Sequence, residues 1–168
     1  DAELIPLAQN KALFKDHGIE VIVSSPEVVA IADDKFLTAQ FLKENGFVHP
    51  RTETEIKDDL SFPVVVKPRR GGARSVGVVI CRDHKELDAA VVNRDNFVIQ
   101  EVIDGDEYTS GTLSFDGTCY GVIPMKRSLR SGDTYKAYVE KNAVVMEYLR
   151  GVIARLKPYG PCNVQLKL

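Results

Sequence analysis

Hydrophobic residues in the first part of the chain recur at the spacing of helices. Residues 1–16 place apolar side chains at helical intervals in a polar frame, which predicts a helix. The apolar triplet at 21–23 predicts a short buried strand. Pro26 follows a serine and suits a first helical turn, where its missing N–H costs nothing, so we expect a second helix there. Asp34 opens a third amphipathic helix, which an Asn-Gly pair ends at Gly46.

Strand patterns dominate the middle of the chain. Residues 47–54 look strand-like, and the β-branched run at 62–66 is the strongest strand signal of all. Residues 77–82 are its natural hairpin partner across a glycine-rich loop. Residues 83–92 then predict a helix, and residues 96–102 predict another buried strand.

The last third of the chain combines a hairpin with a helix. Asp116-Gly117 is a strong hairpin signal between the runs YTSGTLSF and CYGVIPMKR. Residues 142–156 predict a helix, and CNVQLKL after it predicts a final strand. Antiparallel hairpins without regular βαβ alternation predict an α+β fold.

Composition narrows the class of protein. The 168 residues suffice for one ordinary domain or two small lobes, and 44% apolar with 27% charged residues fits a folded globular chain. A net charge of -2 gives no global attraction to nucleic acid or to an anionic membrane, so neither is an expected partner. No apolar run approaches the roughly 18 residues of a membrane span. Three distant cysteines without CxxC spacing predict reduced thiols in a cytoplasmic protein.

One loop concentrates basic residues and glycines. Lys67 closes the apolar strand, and the segment PRRGGARSVG follows it. Glycines permit conformations in which consecutive N–H groups point at one anion, and the cationic side chains would compensate phosphate charge. The loop therefore predicts a phosphate-binding site, although a solvated hairpin tip would have a similar composition. It matches neither a P-loop nor a dinucleotide-binding motif.

A second candidate element follows in the segment FVIQEVIDGDEY. The backbone around Gln100 and Glu101 can offer a hydrogen-bond donor and an acceptor to the edge of an adenine ring. Glu107 follows in the next turn and can bond ribose hydroxyls. A strand with polar exits and a surface glutamate would have the same sequence.

The order of these elements resembles the ATP-grasp superfamily. A helix with Asp34-Lys35 comes first, then the strand with Lys67 and the glycine-rich loop, then the strand with Glu101 and Glu107, then a hairpin and GPCNVQ. Within the superfamily, the chain is similar to the ATP-binding domain of the carbamoyl-phosphate synthase large subunit and its short stand-alone relatives. The resemblance implies an ATP-grasp fold, in which two α+β lobes with antiparallel sheets grip ATP between them.

The resemblance also implies roles for individual residues. Lys35 and Lys67 match the two nucleotide lysines, and Lys67 would contact the α- and β-phosphates. Residues 71–77 match the mobile lid over the phosphates, and Glu107 matches the ribose carboxylate. The resemblance implies nucleotide binding by Lys35, Lys67, Gly71, Gly72, Ser75, Gly77, Gln100, Glu101, Ile103 and Glu107.

Two further positions bear on transfer of the phosphate. Arg127 falls where many relatives keep an arginine near the transferred phosphate, so it is the candidate catalytic residue, although a basic pair at a strand end also suits a solvated position. Gln165, in GPCNVQ, matches the first metal-ligand position of the family, so ATP and Mg²⁺ are the implied cofactors. The other metal ligands, in a pattern like E-x-N, are expected beyond Leu168, and we therefore expect part of the fold to be missing.

The same resemblance divides the chain into three parts. Residues 1–25 correspond to the end of a preceding α/β domain, and residues 26–98 correspond to the small lobe with its glycine-rich loop. Residues 99–168 correspond to the larger lobe, which we expect to be incomplete.

The resulting hypothesis is an ATP-dependent carboxylate–amine ligase of the carbamoyl-phosphate synthase type. It would phosphorylate a carboxylate or bicarbonate to an acyl phosphate, which an amine or ammonia then attacks. Genuine carbamoyl-phosphate synthases often have arginine where Lys67 stands, so the resemblance does not fix the reaction. A non-catalytic nucleotide-binding module for regulation or assembly is the alternative. A homo-oligomer stays open, and an RNA-binding role is disfavoured because the positive charge is confined to one loop.

Overall fold

The computed structural model describes residues 3–71, 75–92 and 94–168, which contain six helices and eight strands. The helices are α1 (Leu4–Gln9), α2 (Lys11–Asp16), α3 (Pro26–Asp33), α4 (Lys35–Glu44), α5 (His84–Val91) and α6 (Ala143–Leu156). The strands are β1 (Thr52–Glu53), β2 (Val64–Pro68), β3 (Val79–Cys81), β4 (Phe97–Glu101), β5 (Glu107–Phe115), β6 (Thr118–Arg130), β7 (Asp133–Val139) and β8 (Gly160–Lys167).

The strands form two sheets, with the orders β1-β4-β2-β3 and β7-β6-β5-β8. The pairs β1–β4, β2–β4, β2–β3, β5–β6 and β5–β8 are all antiparallel. The predicted α+β fold with antiparallel hairpins is therefore confirmed. None of the described helices combines the length and the apolar character that crossing a membrane requires.

The chain divides into two compact units. The first unit comprises the chain up to Ala32 together with Asp106–Arg127 and Ala137–Leu168, and the second comprises Asp33–Gly105 and Ser128–Lys136. The three-part domain division inferred from the sequence stays a prediction.

The second unit has its core under strand β2. Val64 and Val66 alternate with more exposed neighbours along β2 and pack with Cys81, Leu87 and Ile99. This alternation is the two-residue period of a strand with one buried face. The packing fixes β2, the strand that carries Lys67 just after Val66.

The first unit has a second core between its sheet and α6. Tyr108 and Val122 on the sheet pack against Val145 and Leu149 of α6. Along β5 the even-numbered residues are buried, so the odd-numbered ones lie on the opposite face of the sheet. Asn142 caps α6 by accepting a hydrogen bond from the Val145 N–H at 3.2 Å.

Most predicted elements are confirmed, and four differ. The helix predicted over 1–16 is two short helices, which meet at Asn10. Residues 21–23 form no strand, although Val23 is buried against Ala8 and Val29. Its apolar composition made the triplet strand-like, but only Val23 is buried, among helical residues, while Ile22 is 59% exposed.

The other two differences concern strands. Only Thr52–Glu53 of the strand-like stretch 47–54 pairs in a sheet. Strand β7 was not expected because all its residues are exposed, so it lacks the alternation that identifies a half-buried strand. The predicted turn at Asp116-Gly117 is present, with φ of 50° and 77° at its two residues.

Candidate functional site

The start of α4 contacts the start of the glycine-rich loop. The Lys35 Nζ donates a hydrogen bond to the Gly71 carbonyl at 2.9 Å. The Lys35 backbone N–H donates to the Arg69 carbonyl at 3.0 Å. Two segments that the sequence separates by 36 residues, and that were predicted to bind the same phosphates, are thus in direct contact.

Asp34 organises this contact from a fully buried position at the N-cap of α4. Its Oδ1 accepts hydrogen bonds from the N–H groups of Phe36 at 3.0 Å and Leu37 at 3.2 Å. The Arg69 Nε lies 2.8 Å from both carboxylate oxygens, and the Arg70 Nε lies 3.1 Å from Oδ2. Burial opposes ionisation of this carboxyl most strongly, but the hydrogen bonds from Arg69 and the backbone together keep the pKa of Asp34 below its ordinary value.

Lys35 is partly withdrawn from water at the same place. Burial lowers the pKa of Lys35, and the neighbouring carboxylates of Asp33 and Asp34 partly offset that effect. The ammonium group is therefore held where a further negative charge, such as a phosphate, would stabilise its protonated form.

Lys67 lies on β2, the strand that leads into the glycine-rich loop. It stands opposite Val98 of β4 and is half-buried. Gly77 has a φ of +77° and lies so close to Pro68 that a Cβ would approach its ring to 3.1 Å, so this position favours glycine. Ser75 also has a positive φ, 57°. Gly72, predicted to bind phosphate, lies outside the described residues.

The predicted adenine segment uses its side chains within the sheet. The Gln100 Nε2 donates to the Thr52 Oγ1 at 2.7 Å, and the Glu101 carboxylate accepts from the Arg51 N–H at 2.9 Å. Both bonds tie β4 to the segment of β1. Ile103 follows the end of β4 and is 39% exposed. The Glu101 N–H is already bonded to the Arg51 carbonyl, so adenine binding would use other backbone groups of this segment.

The first unit brings together the other three predicted residues. The Arg127 Nε lies 3.4 Å from a Glu107 carboxylate oxygen, and an Arg127 Nη donates to the Gln165 Oε1 at 3.0 Å. Lys167 stands opposite Glu107 in the β5–β8 register, and their charged atoms are 3.8 Å apart. These residues lie on the sheet face opposite α6, because β5 buries its even-numbered residues there.

The surroundings of the Gln165 side chain do not by themselves suit a magnesium ion. Its side-chain oxygen accepts from Arg127, a cation that would compete with a metal for the same oxygen. Within the described ranges, no three acidic, histidine or cysteine side chains converge to hold a metal ion. Gln165 as a metal ligand stays a prediction, and the described residues do not fit a complete magnesium site.

Some organising residues were not identified from the sequence. The sequence identifies Asp34 as a helix start, in agreement with its N-cap position. It does not predict the contacts of Asp34 with Arg69 and Arg70. Lys167 was likewise not singled out. Its pairing with Glu107 depends on the β5–β8 register, which a single sequence does not specify.

A comparison with sequence families agrees with this arrangement. The profile of the family described as ATP-grasp domain matches residues 32–162. A curated relative, the D-alanine–D-alanine ligase of Marinomonas sp. (strain MWYL1), is 30% identical over 128 residues. The match covers 69% of this chain and 39% of that ligase, so the chain spans less than half the length of this curated relative.

Solved structures share the fold. The L-amino acid ligase from Bacillus licheniformis superposes with a TM-score of 0.74 at 22% identity, over 98% of this chain and 43% of that one. The D-alanine–D-alanine ligase from Bacillus anthracis complexed with ATP superposes with a TM-score of 0.69 at 24% identity, over 94% of this chain and 58% of that one. At these identities, the likeness establishes the fold alone.

Proposed function

This chain belongs to the ATP-grasp domain family, and from that premise we propose that it is the ATP-binding part of an ATP-dependent carboxylate–amine ligase. The observation that carries the proposal is the contact between Lys35 and Gly71. A helix start and a glycine-rich loop, both proposed to bind phosphates, meet there although they are far apart in the sequence. A solvated hairpin tip would have no reason to contact a lysine on another element.

The second unit supplies the proposed phosphate-binding groups. Lys35 and Lys67 provide ammonium groups, and Gly71, Ser75 and Gly77 have positive φ values, a backbone conformation in which N–H groups can point at an anion. In the first unit, Glu107 is the proposed acceptor of ribose hydroxyls, and Arg127 is the proposed residue at the transferred phosphate. Two cations lie 3.4 and 3.8 Å from the Glu107 carboxylate, and its Oε2 accepts no hydrogen bond from the described residues, so it retains acceptor capacity for ribose hydroxyls.

The proposed reaction has two steps. A carboxylate oxygen of the substrate attacks the γ-phosphorus, so that a new P–O bond forms and the bond to the β-phosphate breaks, which releases ADP. An amine then attacks the acyl carbon, forms the C–N bond, loses a proton and expels phosphate. Lysine and arginine neutralise charge that builds up on the phosphoryl group, which is the main protein contribution in phosphoryl transfer.

The substrates belong to the proposal as well. The motif GPCNVQ and the order of elements support a carbamoyl-phosphate-synthase-like module, which would use bicarbonate and ammonia. The curated relative is named a D-alanine–D-alanine ligase, which supports an amino acid in both roles. A screen must therefore include both pairs of substrates.

Replacement of Lys67 tests the proposal in the full-length protein that contains this sequence. We expect Lys67→Ala to lower ATP-dependent phosphate release by about 100-fold or more, because one charge at the transferring phosphates is lost. Phosphate release is measured with ATP, Mg²⁺ and a panel of bicarbonate, ammonia and amino acids. Circular dichroism and the thermal midpoint verify that the variant is folded.

A matched control separates the site from general charge effects. Lys85 is an exposed lysine on α5 in the same unit, and we expect Lys85→Ala to retain wild-type turnover. Equal turnover and equal ATP affinity for folded Lys67→Ala and wild-type protein would refute the proposed site.

A second candidate is a nucleotide-binding module without catalysis. The hydrogen bond from Arg127 to Gln165 favours it, because it occupies the oxygen that a metal would need. This candidate predicts that the full-length protein binds ATP with an affinity that depends on Lys67 and yet releases no phosphate with any substrate of the panel.

A further inference from the structure

Asp34 does more in this structure than cap a helix. Asp83 caps α5 in the same unit with a single hydrogen bond, from the Glu86 N–H at 2.8 Å, and is exposed. Asp34 caps α4, is fully buried, and in addition contacts two guanidinium groups. A buried carboxylate is costly unless cations or hydrogen bonds compensate it, so the two arginine contacts are part of what keeps Asp34 in place.

The two arginines flank the base of the glycine-rich loop. Arg69 and Arg70 directly follow β2, which ends at Pro68, and precede Gly71. Asp34 holds each of them through Nε, and their side chains remain 30% and 56% exposed. The Arg69 guanidinium also lies over the Phe36 ring at 5.2 Å, so each arginine is anchored through Nε while part of its side chain remains accessible. Such an anchored guanidinium suits bidentate recognition of a phosphate.

The backbone is fixed at the same point. Asp34 and Arg70 form an isolated antiparallel bridge, and the Lys35 N–H bonds the Arg69 carbonyl. The Lys35 side chain in turn bonds the Gly71 carbonyl. The buried carboxylate thus contacts two arginines, and the next residue, Lys35, bonds the residue at which the loop begins.

We propose that Asp34 is the positioning residue that presents Arg69 and Arg70, together with Lys35, to the polyphosphate of the nucleotide. The inference rests on the proposed function and extends its phosphate site by two arginines. Asp34 itself touches no phosphate; it acts by fixing the cations before the ligand arrives, which reduces the ordering that binding requires.

The test uses Asp34→Asn in the full-length protein. Asparagine is as good an N-cap as aspartate and serves that purpose at α6 of this chain, so the variant removes the charge and retains the cap. Affinities for inorganic tripolyphosphate and for adenosine are measured separately by calorimetry. We expect tripolyphosphate to bind at least about tenfold more weakly, with adenosine affinity unchanged.

The sign of the effect decides between two roles of the carboxylate. Loss of a negative charge would, through Coulomb attraction alone, tighten the binding of a polyanion. If Asp34 positions the arginines, binding weakens instead. Unchanged or tighter tripolyphosphate binding by folded Asp34→Asn would therefore overturn the inference.

A double-mutant cycle tests the same point without depending on one variant. We expect Arg69→Gln/Arg70→Gln to weaken tripolyphosphate binding at least about tenfold and to abolish the further effect of Asp34→Asn, because the carboxylate acts through the arginines. Unchanged tripolyphosphate affinity in the double arginine variant would refute the inference, even if Asp34→Asn alone does not fold. So would an effect of Asp34→Asn that is as large in that background as in the wild-type protein.

Two controls separate this inference from the function on which it rests. Asp83→Asn changes an N-cap that has no arginine contact among the described residues, and we expect wild-type affinity for tripolyphosphate. If wild-type protein binds neither ATP nor tripolyphosphate, the proposed function itself fails. If wild-type protein binds both and Lys67→Ala weakens that binding while Asp34→Asn does not, only the role of Asp34 fails.

Discussion

Asp34, Asp83 and Asn142 occupy the same position in three helices, and their surroundings give them different properties. Each accepts a hydrogen bond from an N–H group in the first turn of its helix. Only Asp34 is fully buried with guanidinium groups at its carboxylate oxygens. For this residue, the free energy of the charge depends on partners that lie far away in the sequence, and its protonation is therefore coupled to folding.

This coupling predicts a pH dependence. The pKa of Asp34 in the folded protein is lower than its ordinary value of 3.8, because hydrogen bonds from Arg69 and the backbone outweigh burial. The ionised carboxylate thus stabilises the protein above pH 3.8, and the contribution is lost as the pH falls through the lowered folded value. We expect the difference in free energy of unfolding between wild type and Asp34→Asn to be largest near neutral pH and to shrink in acid. Urea unfolding at a series of pH values measures it, and a difference that is constant or grows in acid would contradict the prediction.

The limits of sequence reasoning at this scale are clear from individual residues. Lys35, Lys67 and Glu107 were proposed as nucleotide-binding residues from the family resemblance that the order of elements carries, and these roles stay predictions. The contacts of Asp34 with the arginines were not proposed, since they span 35 and 36 residues and depend on how β2 ends beside α4. Ionic contacts over such separations have no local signature.

At the scale of elements, the start of β8 packs closely against the segment that precedes α3. Gly160 has a φ of +93°, and a Cβ built there would lie 2.3 Å from the Ile22 Cγ2. Residues 19–25 form no strand, yet the close contact of Ile22 with Gly160 and a hydrogen bond from the Tyr159 N–H to the Ser24 Oγ hold this segment in place. Glycine is required at this position for both its φ and its size.

We therefore expect Gly160→Ala to lower the free energy of unfolding by about 2–4 kcal/mol, from backbone strain at positive φ and from overpacking. Denaturant unfolding monitored by circular dichroism measures the change. Gly111→Ala in β5 is the matched control, because Gly111 has no neighbour within 4 Å of a built Cβ and no positive φ. If Gly160→Ala lowers the free energy of unfolding no more than the control does, the segment around Ile22 can move to accommodate a Cβ, and the prediction is wrong.

Burial of a face separates the elements that the sequence predicts from those that it does not. Strands β2 and β4 and helix α6 bury one or both faces, so hydrophobic spacing identifies them. Strand β7 pairs with β6 but is exposed throughout, so it leaves no alternation in the hydrophobic pattern. The triplet at 21–23 is the converse case, since it is apolar but forms no strand, and of its three residues only Val23 is buried.

At the scale of the whole molecule, charge is local and not global. The net charge is -2, yet Arg69 and Arg70 contact one buried carboxylate, and Lys35 bonds the Gly71 carbonyl beside them. A polyanion would therefore be attracted locally to the base of the glycine-rich loop, which favours a small phosphorylated ligand over nucleic acid. Family membership, the fold and this local charge all support a nucleotide-binding role for the chain.

Trapping of the acyl phosphate tests the proposed chemistry most directly. Hydroxylamine attacks an acyl phosphate to give a stable hydroxamate, so we expect the full-length protein with ATP, Mg²⁺, hydroxylamine and its carboxylate substrate to accumulate a hydroxamate and ADP in equal amounts. Lys67→Ala should form about 100-fold less, because the phosphates are no longer neutralised in the transition state, and Lys85→Ala should form as much as wild type. Colorimetry and mass spectrometry identify the hydroxamate and thereby the carboxylate. The ligase would be excluded, and the binding module favoured, if the protein binds ATP but gives neither of two products. These are a hydroxamate with any amino acid or other carboxylate in the absence of bicarbonate, and free phosphate in the presence of bicarbonate.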